Sequence, residues 1–193
     1  MNILQHSLAL YKNGPARVVA LGDKLEIELE DGRTLRVRPK DIVLLHPGPV
    51  RSLREVATAP SVGAAEAEAA CELLDGGQTT LAELAELACG DYTPVTAWAT
   101  WRLVDEGLYF HGTPEAITAR LLADVARERD LREAKAAERE AWNGFLQRAR
   151  AGCCAAQDAP YLREIEEVAW GEREQSRVLQ ALEVNQTPDS AHA

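Results

Sequence analysis

TTLAELAELACGDYTPVTAWATWRLVDEGLYFHG, residues 79–112, decides the fold. Thr80 stands three residues before Glu83, a capping box that opens a helix. Leu81, Leu84 and Ala88 then recur at helical spacing. Gly90 closes that helix, because glycine takes the left-handed cap at little cost. Thr93-Pro94 opens a second helix, with threonine as N-cap and proline at the first position. Gly107 ends it, and Leu108-Tyr109-Phe110 is a short β-prone run.

Helix, turn, helix and strand in that order predict a winged helix with a very reduced wing. A reader of DNA displays Arg, Lys, Asn or Gln on the second helix. Residues 95–106 offer one such side chain, Arg102, followed by Asp105 and Glu106, which repel phosphate. Val95, Ala97, Trp98, Ala99, Trp101, Leu103 and Val104 cover most of the circumference. A helix apolar nearly all round packs on two sides, so the two tryptophans are expected in the core.

Upstream, residues 7–11, 16–20, 24–29, 33–38 and 42–46 read as five short strands separated by turn residues. Leu25, Ile27 and Leu29 alternate with Lys24, Glu26 and Glu28; Leu35 and Val37 alternate with Thr34, Arg36 and Arg38. A two-residue Asp31-Gly32 loop would set Ile27 against Arg36 and mix the faces. A three-residue loop with Gly32 left-handed pairs Ile27 with Leu35, Leu25 with Val37 and Glu26 with Arg36, and is preferred. Strand number and spacing predict a small SH3-like or OB-like barrel. Its outward face carries Arg36, Arg38 and Lys40, which suit a phosphate backbone; pairing of Arg36 with Glu26 is the structural alternative.

His46-Pro47-Gly48-Pro49 is a break. It divides a β-barrel, residues 1–49, from a winged-helix domain, 50–112, in which 52–57 form a helical turn and 62–74 the first full helix. Thr113-Pro114 repeats the cap-and-proline signal, so a helix is expected from there to about residue 151, roughly 55 Å long. Ile117, Leu121 and Val125 would pack near its start, and Trp142, Phe145 and Leu146 near its end. Arg127 to Glu140 reads as a solvated stretch laced with ion pairs, not a binding patch. Gly144 marks a place for a bend. Asp158 is expected to cap a further helix, and residues 172–184 to form the last one, in a third region, 113–193. The fold class is therefore α+β: five strands, a winged helix and a mostly helical remainder.

The net charge is −10 over 193 residues, which by itself opposes nucleic-acid binding. It is uneven. The first 54 residues hold nine Lys and Arg against six Asp and Glu, +3; the rest hold twelve against twenty-five, −13. No run is long and apolar enough to span a membrane, and the N-terminus does not read as a signal peptide. A cytoplasmic location and no membrane partner are expected. Cys71 and Cys89 lie in apolar helical context and are expected buried; Cys153-Cys154 reads as a reduced loop pair; neither zinc nor redox spacing is present. The sequence shows no Gly-rich phosphate loop, nucleophile elbow or converging carboxylates. Catalysis by this chain alone is not expected, and no cofactor is expected within it.

Gly90-Asp91-Tyr92-Thr93-Pro94, Ala97-Trp98-Ala99, Asp105-Glu106-Gly107-Leu108-Tyr109-Phe110 and Gly112-Thr113-Pro114-Glu115-Ala116-Ile117 resemble the N-terminal region of bacterial ribonuclease II-like exoribonucleases, of the type with a winged helix before the RNB catalytic domain. Val37-Arg38-Pro39, Val43 to Gly48, and Thr187-Pro188 with Ala191-His192 agree with it. The resemblance spans most of the chain, and its motifs are structural rather than catalytic. It implies 3′-to-5′ degradation of single-stranded RNA, a hydrolase using Mg²⁺ held by aspartates of an RNB domain, and an N-terminal part that guides RNA. The sequence stops where that domain would begin, so no catalytic aspartate is carried over. From the residues alone the end reads as a frayed tail; the resemblance makes it a lead-in to the RNB domain, as continuation or separate chain.

The expected RNA contacts are Arg36, Arg38 and Lys40 on phosphates with help from Arg102, and Tyr92, Tyr109 and His111 stacking on unpaired bases. Two other readings stand beside this one. The first is a winged-helix DNA-binding transcriptional regulator dimerising through the long helix. The second is a scaffold that docks a catalytic partner through apolar helical faces.

Overall fold

A computed structural model describes residues 3–187. The reading of the tail through Pro188, Ala191 and His192 lies outside those residues. The chain forms two compact units, Met1–Arg129 and Asp130–Ala193.

The first unit begins with five strands, β1 (Leu8–Tyr11), β2 (Gly14–Ala20), β3 (Leu25–Leu29), β4 (Thr34–Val37) and β5 (Ile42–His46). They form an antiparallel sheet in the order β4-β3-β2-β1-β5. The expected barrel is not closed. The ladder runs from β4 to β5 as two edges, and a 3-10 turn, Pro39–Asp41, carries the chain from one edge to the other. The β3–β4 register is the predicted one: Leu25 faces Val37, Glu26 faces Arg36 and Ile27 faces Leu35. Gly32 has φ +79 and its N–H donates to the Leu29 carbonyl at 2.9 Å, which closes the three-residue loop. Ala9, Ala16, Val18, Leu25, Ile27, Val37 and Ile42 form a small core within the sheet.

Three helices follow, α1 (Leu53–Ala57), α2 (Ala64–Leu74) and α3 (Leu81–Cys89), and then α4 (Pro94–Glu106). The capping box is present: the Glu83 carboxylate accepts from the Thr80 N–H at 2.9 Å, and the Glu83 N–H donates to Thr80 Oγ1 at 3.3 Å. These bonds, Thr80's first, hold the Glu83 carboxyl below the usual carboxylate range. Thr93 and Thr96 cap α4 reciprocally, and Gly90 and Gly107 close α3 and α4 in the left-handed region. Leu84, Ala97, Trp98, Leu103 and Val104 are buried with Leu8 and Leu45 of the sheet and Leu53 and Val56 of α1, so sheet and helices share one core. Cys71 is in that core, its thiol donating to the Arg120 carbonyl at 3.0 Å, and burial pushes the thiol pKa up. Cys89, expected buried, is exposed near the end of α3, as are the unbridged Cys153 and Cys154.

The wing is larger than predicted. β6 (Gln78–Thr79), β7 (Phe110–Thr113) and β8 (Ala116–Ala119) form an antiparallel sheet in the order β6-β8-β7. Thr113-Pro114 does not start a helix. It turns the β7–β8 hairpin, and the Pro114 carbonyl accepts from the Leu81 N–H at 2.8 Å, which fixes the turn on α3. Proline suits the second position of a β-turn as well as the first of a helix. Ile117 and Ala119 are buried at period two, the strand signature. The long helix, α5 (Leu122–Arg150), therefore starts later, has 29 residues and is about 44 Å long. Val125 is buried as expected, but Leu121 is half exposed. Gly144 lies inside continuous helix.

In the second unit α5 is followed by a 3-10 turn (Ala156–Asp158), α6 (Ala159–Ala169) and α7 (Arg177–Ala181). The last helix is shorter than residues 172–184 and is capped by Ser176, whose Oγ accepts from the Val178 and Leu179 N–H groups. Asp158 precedes α6 but its side chain does not cap it. Its carboxylate is fully buried and takes a two-pronged contact from Arg148, Nε to Oδ2 at 3.0 Å and Nη2 to Oδ1 at 2.5 Å, and also accepts from the Ala155 N–H at 2.9 Å.

The Arg148 hydrogen bonds, with that of Ala155, hold the Asp158 carboxyl below its usual range. Its folded pKa is thus lower than the unfolded value of about 3.9. The stabilisation it provides is fully present above that value and is lost as pH falls through the folded pKa. Acid titration followed by near-UV circular dichroism should show an acid loss of packing in this unit; Asp158→Asn should weaken the packing already at neutral pH and flatten its dependence on acid. The same acid profile in both proteins would remove Asp158 from the account.

Candidate nucleic-acid interface

Side-chain alternation and one tight turn build a cationic strip on the edge of the five-stranded sheet. Arg36 lies on β4, Arg38 follows it and Lys40 sits in the 3-10 turn, held by the Asp41 carboxylate, which accepts from the Arg38 N–H at 3.2 Å. Because Val37 is buried, its two arginine neighbours point to the other face, about 6.7 Å apart along the strand. All three cations are exposed. Arg36 stands opposite Glu26 in the register, but among the described residues none of the three side chains makes an ion pair. The cross-strand pair on this face is Arg17 with Glu28, and Arg33 is engaged by Asp31 in the turn. The strip is thus free to meet an anion.

The other predicted contacts are placed differently. Arg102 Nη1 donates to the Ala59 carbonyl at 2.9 Å and its other amino group meets Ser61 Oγ, so it ties α4 to the segment after α1. Tyr92 is half-buried, and its hydroxyl donates to the Leu45 carbonyl at 2.5 Å. Its ring lies 4.5 Å from that of His46. His46 Nδ1 accepts from the Gly48 N–H at 2.9 Å, so Nε2 carries the proton and donates to the Tyr92 carbonyl at 3.3 Å. Burial pushes the His46 pKa down, which keeps this neutral clasp between β5 and the α3–α4 turn. Tyr109 is 4% exposed, and its hydroxyl accepts from Arg129 at 2.8 Å. Arg129 also pairs with Glu68 at 3.1 Å. His111 is exposed on β7 opposite Thr118. The structure therefore gathers Arg36, Arg38 and Lys40, leaves His111 open on the wing, and uses Tyr92, Tyr109 and Arg102 as internal ties.

No three His, Cys, Asp or Glu side chains are grouped to hold a metal ion among the described residues. No helix is long and apolar enough to cross a membrane.

Trp142 and Phe145 pack near the end of α5 as expected, but the sequence reading does not join Tyr161 and Arg177 to them. In the second unit Trp142, Phe145 and Tyr161 form a ring cluster, with Phe145 and Tyr161 stacked at 4.6 Å and 25°, and Trp142 edge-on to Tyr161 at 5.4 Å and 70°. The Arg177 guanidinium lies 5.0 Å from the Trp142 ring centre. The signal was available: Lys135, Arg139 and Trp142, at i, i+4 and i+7, share one helix face.

Residues 125–193 match the ribonuclease II helix-turn-helix family model, described as a double HTH domain. The match covers the C-terminal part of the chain, about a third of it, and makes that part similar to the helix-turn-helix region of ribonuclease II-type proteins. It falls on the residues read from the sequence as long helix and linker. No curated protein and no solved structure matches the chain.

Proposed function

We propose, from the ribonuclease II-type double HTH region at residues 125–193, that this chain is the RNA-guiding part of a 3′-to-5′ exoribonuclease acting on single-stranded RNA. That match is the observation that carries the reading. The exposed, unpaired strip of Arg36, Arg38 and Lys40 supports it with a place for the phosphate backbone. Phosphate contacts of this kind position a strand without reading its sequence. Hydrolysis with Mg²⁺ belongs, in this reading, to an RNB domain joined to or paired with the chain. The cytoplasm is the compartment it requires.

The duplex-DNA reading has less support. The helix in the recognition position, α4, offers one cation, and Arg102 is engaged by Ala59 and Ser61.

Fluorescence anisotropy with labelled single-stranded RNA and duplex DNA, at several salt concentrations, tests the proposal. Single-stranded RNA should bind more tightly. Joint replacement Arg36→Ala, Arg38→Ala and Lys40→Ala should lower the slope of log K against log salt by about 2, from roughly 0.7 per phosphate contact. Unchanged affinity would remove the strip from the interface. Preference for duplex DNA would replace the RNA reading by the regulator.

A further inference from the structure

We propose that the groove beside Trp142 and Tyr161, in the second compact unit, is a stacking site for one unpaired nucleotide of RNA. This rests on the nucleic-acid reading above and adds to it a site distinct from the sheet strip. The groove has a volume of about 400 Å³ and is lined by Lys135, Glu138, Arg139, Trp142, Tyr161 and Arg177. That is at the small end of ligand-sized pockets.

Its chemistry is that of a base-and-phosphate pocket. Phe145 is 1% exposed and anchors the ring cluster, while Trp142 and Tyr161 keep part of their surface open to the groove. Arg177 lies over both, 5.0 Å from the Trp142 centre and 6.0 Å from that of Tyr161. Its guanidinium is steadied by Glu164, Nε to Oε2 at 3.3 Å. Unpaired bases are held in this way, on aromatic faces and guanidinium planes. A base in the groove gains a ring face and a cationic plane together.

The phosphate side is supplied by α5. Lys135 and Arg139 stand one turn apart on the face that carries Trp142. Both are exposed, and among the described residues neither side chain makes an ion pair, whereas Arg148, Arg163 and Arg173 of the same unit are all paired with carboxylates. Arg177 is paired with Glu164, so at the groove wall Lys135 and Arg139 are the two unpaired cations, set against Glu138. In a chain of net charge −10 this is a local excess of positive charge, and it sits beside the rings rather than on a polar helix face. The complementary occupant is anionic and has a flat π-face, which a nucleotide supplies.

The test uses the 193-residue chain, a labelled hexauridylate and the same oligomer made abasic at its central positions. Trp142→Leu keeps an apolar side chain but removes the ring. It should weaken hexauridylate binding at least about fivefold and leave the abasic oligomer unchanged. Lys135→Ala with Arg139→Ala, both on the surface, should lower the salt slope by about 1.4 for either oligomer. A 4-thiouridine oligomer should crosslink to Trp142 or Tyr161. If Arg36→Ala, Arg38→Ala and Lys40→Ala together weaken binding while the groove variants do not, and no crosslink falls in the groove, this site is overturned and the RNA-guiding reading stands. If the unaltered chain binds neither oligomer, the RNA-guiding reading fails and the groove proposal with it.

Discussion

Phe110→Ala should lower the stability of the first compact unit by about 3–5 kcal/mol, the range for emptying a buried aromatic site. Phe110 is the first residue of β7 and is 0% exposed. It belongs to the core that includes Leu84 of α3, Trp98 and Leu103 of α4, and Ile117 of β8. Its strand partner is Ala119, which is too short to fill the space. Helices approach from one side and the strand backbone is fixed on the other, so the site has little room to collapse. Native-state hydrogen exchange, read on α3 and α4 amides, separates this unit from the second. A loss under about 1 kcal/mol would mean that Phe110 does not close the core. Leu35→Ala is the control. Leu35 is apolar too, but 38% exposed on the edge strand β4, and its loss should fall well below that of Phe110.

The β3–β4 register is legible in the sequence because side-chain alternation has only two phases, and one of them places Arg36 against Ile27. Both helices around Gly90 are legible for a similar reason. Thr80 with Glu83, and Thr93 with Pro94, satisfy the first-turn amides by local chemistry that packing does not need to supply. The wing is not legible, since Thr-Pro-Glu begins a helix or turns a hairpin equally well; the choice falls to Ile117 and Ala119, whose burial depends on α3 and α4. Barrel closure is a matter of whether β4 meets β5, and strand spacing says nothing about that.

The candidate contacts divide along the same line. Arg36 lies on the edge strand, where alternation sets its outward direction, and Arg38 and Lys40 follow it into the 3-10 turn, all three exposed. Tyr92, Arg102 and Tyr109 look like ligand contacts by residue type, but their polar ends are taken by Leu45, Ala59 and Arg129, which are 47, 43 and 20 residues away in the chain. Partners at such separations are set by tertiary packing alone. The groove at Trp142 was hidden for the same reason: Tyr161 and Arg177 come from other elements, so only the α5 half has a pattern to read.

Gly112→Ala should cost about 2–4 kcal/mol, more than the same change at Gly90, and the difference tests the wing itself. Both glycines have positive φ, +134 at Gly112 and +86 at Gly90, so both substitutions carry the backbone penalty of an L-residue there. That penalty alone, about 1–2 kcal/mol, is the expected loss at Gly90, where an added Cβ meets nothing within 4 Å. At Gly112 the Cβ would run into the Ala116 carbonyl oxygen and lie 3.1 Å from the Ile117 Cα. These are backbone atoms of the paired strand β8, so no side chain can rotate away, and overpacking adds to the strain. Relief requires the hairpin to open, which withdraws Ile117 from the core and frees the Pro114 carbonyl from Leu81. Amide exchange at Ile117 and Ala119 should therefore accelerate in Gly112→Ala and stay slow in Gly90→Ala. Equal losses in the two variants would mean that β7 and β8 do not pair in this register, and the expectation of a much reduced wing would be restored.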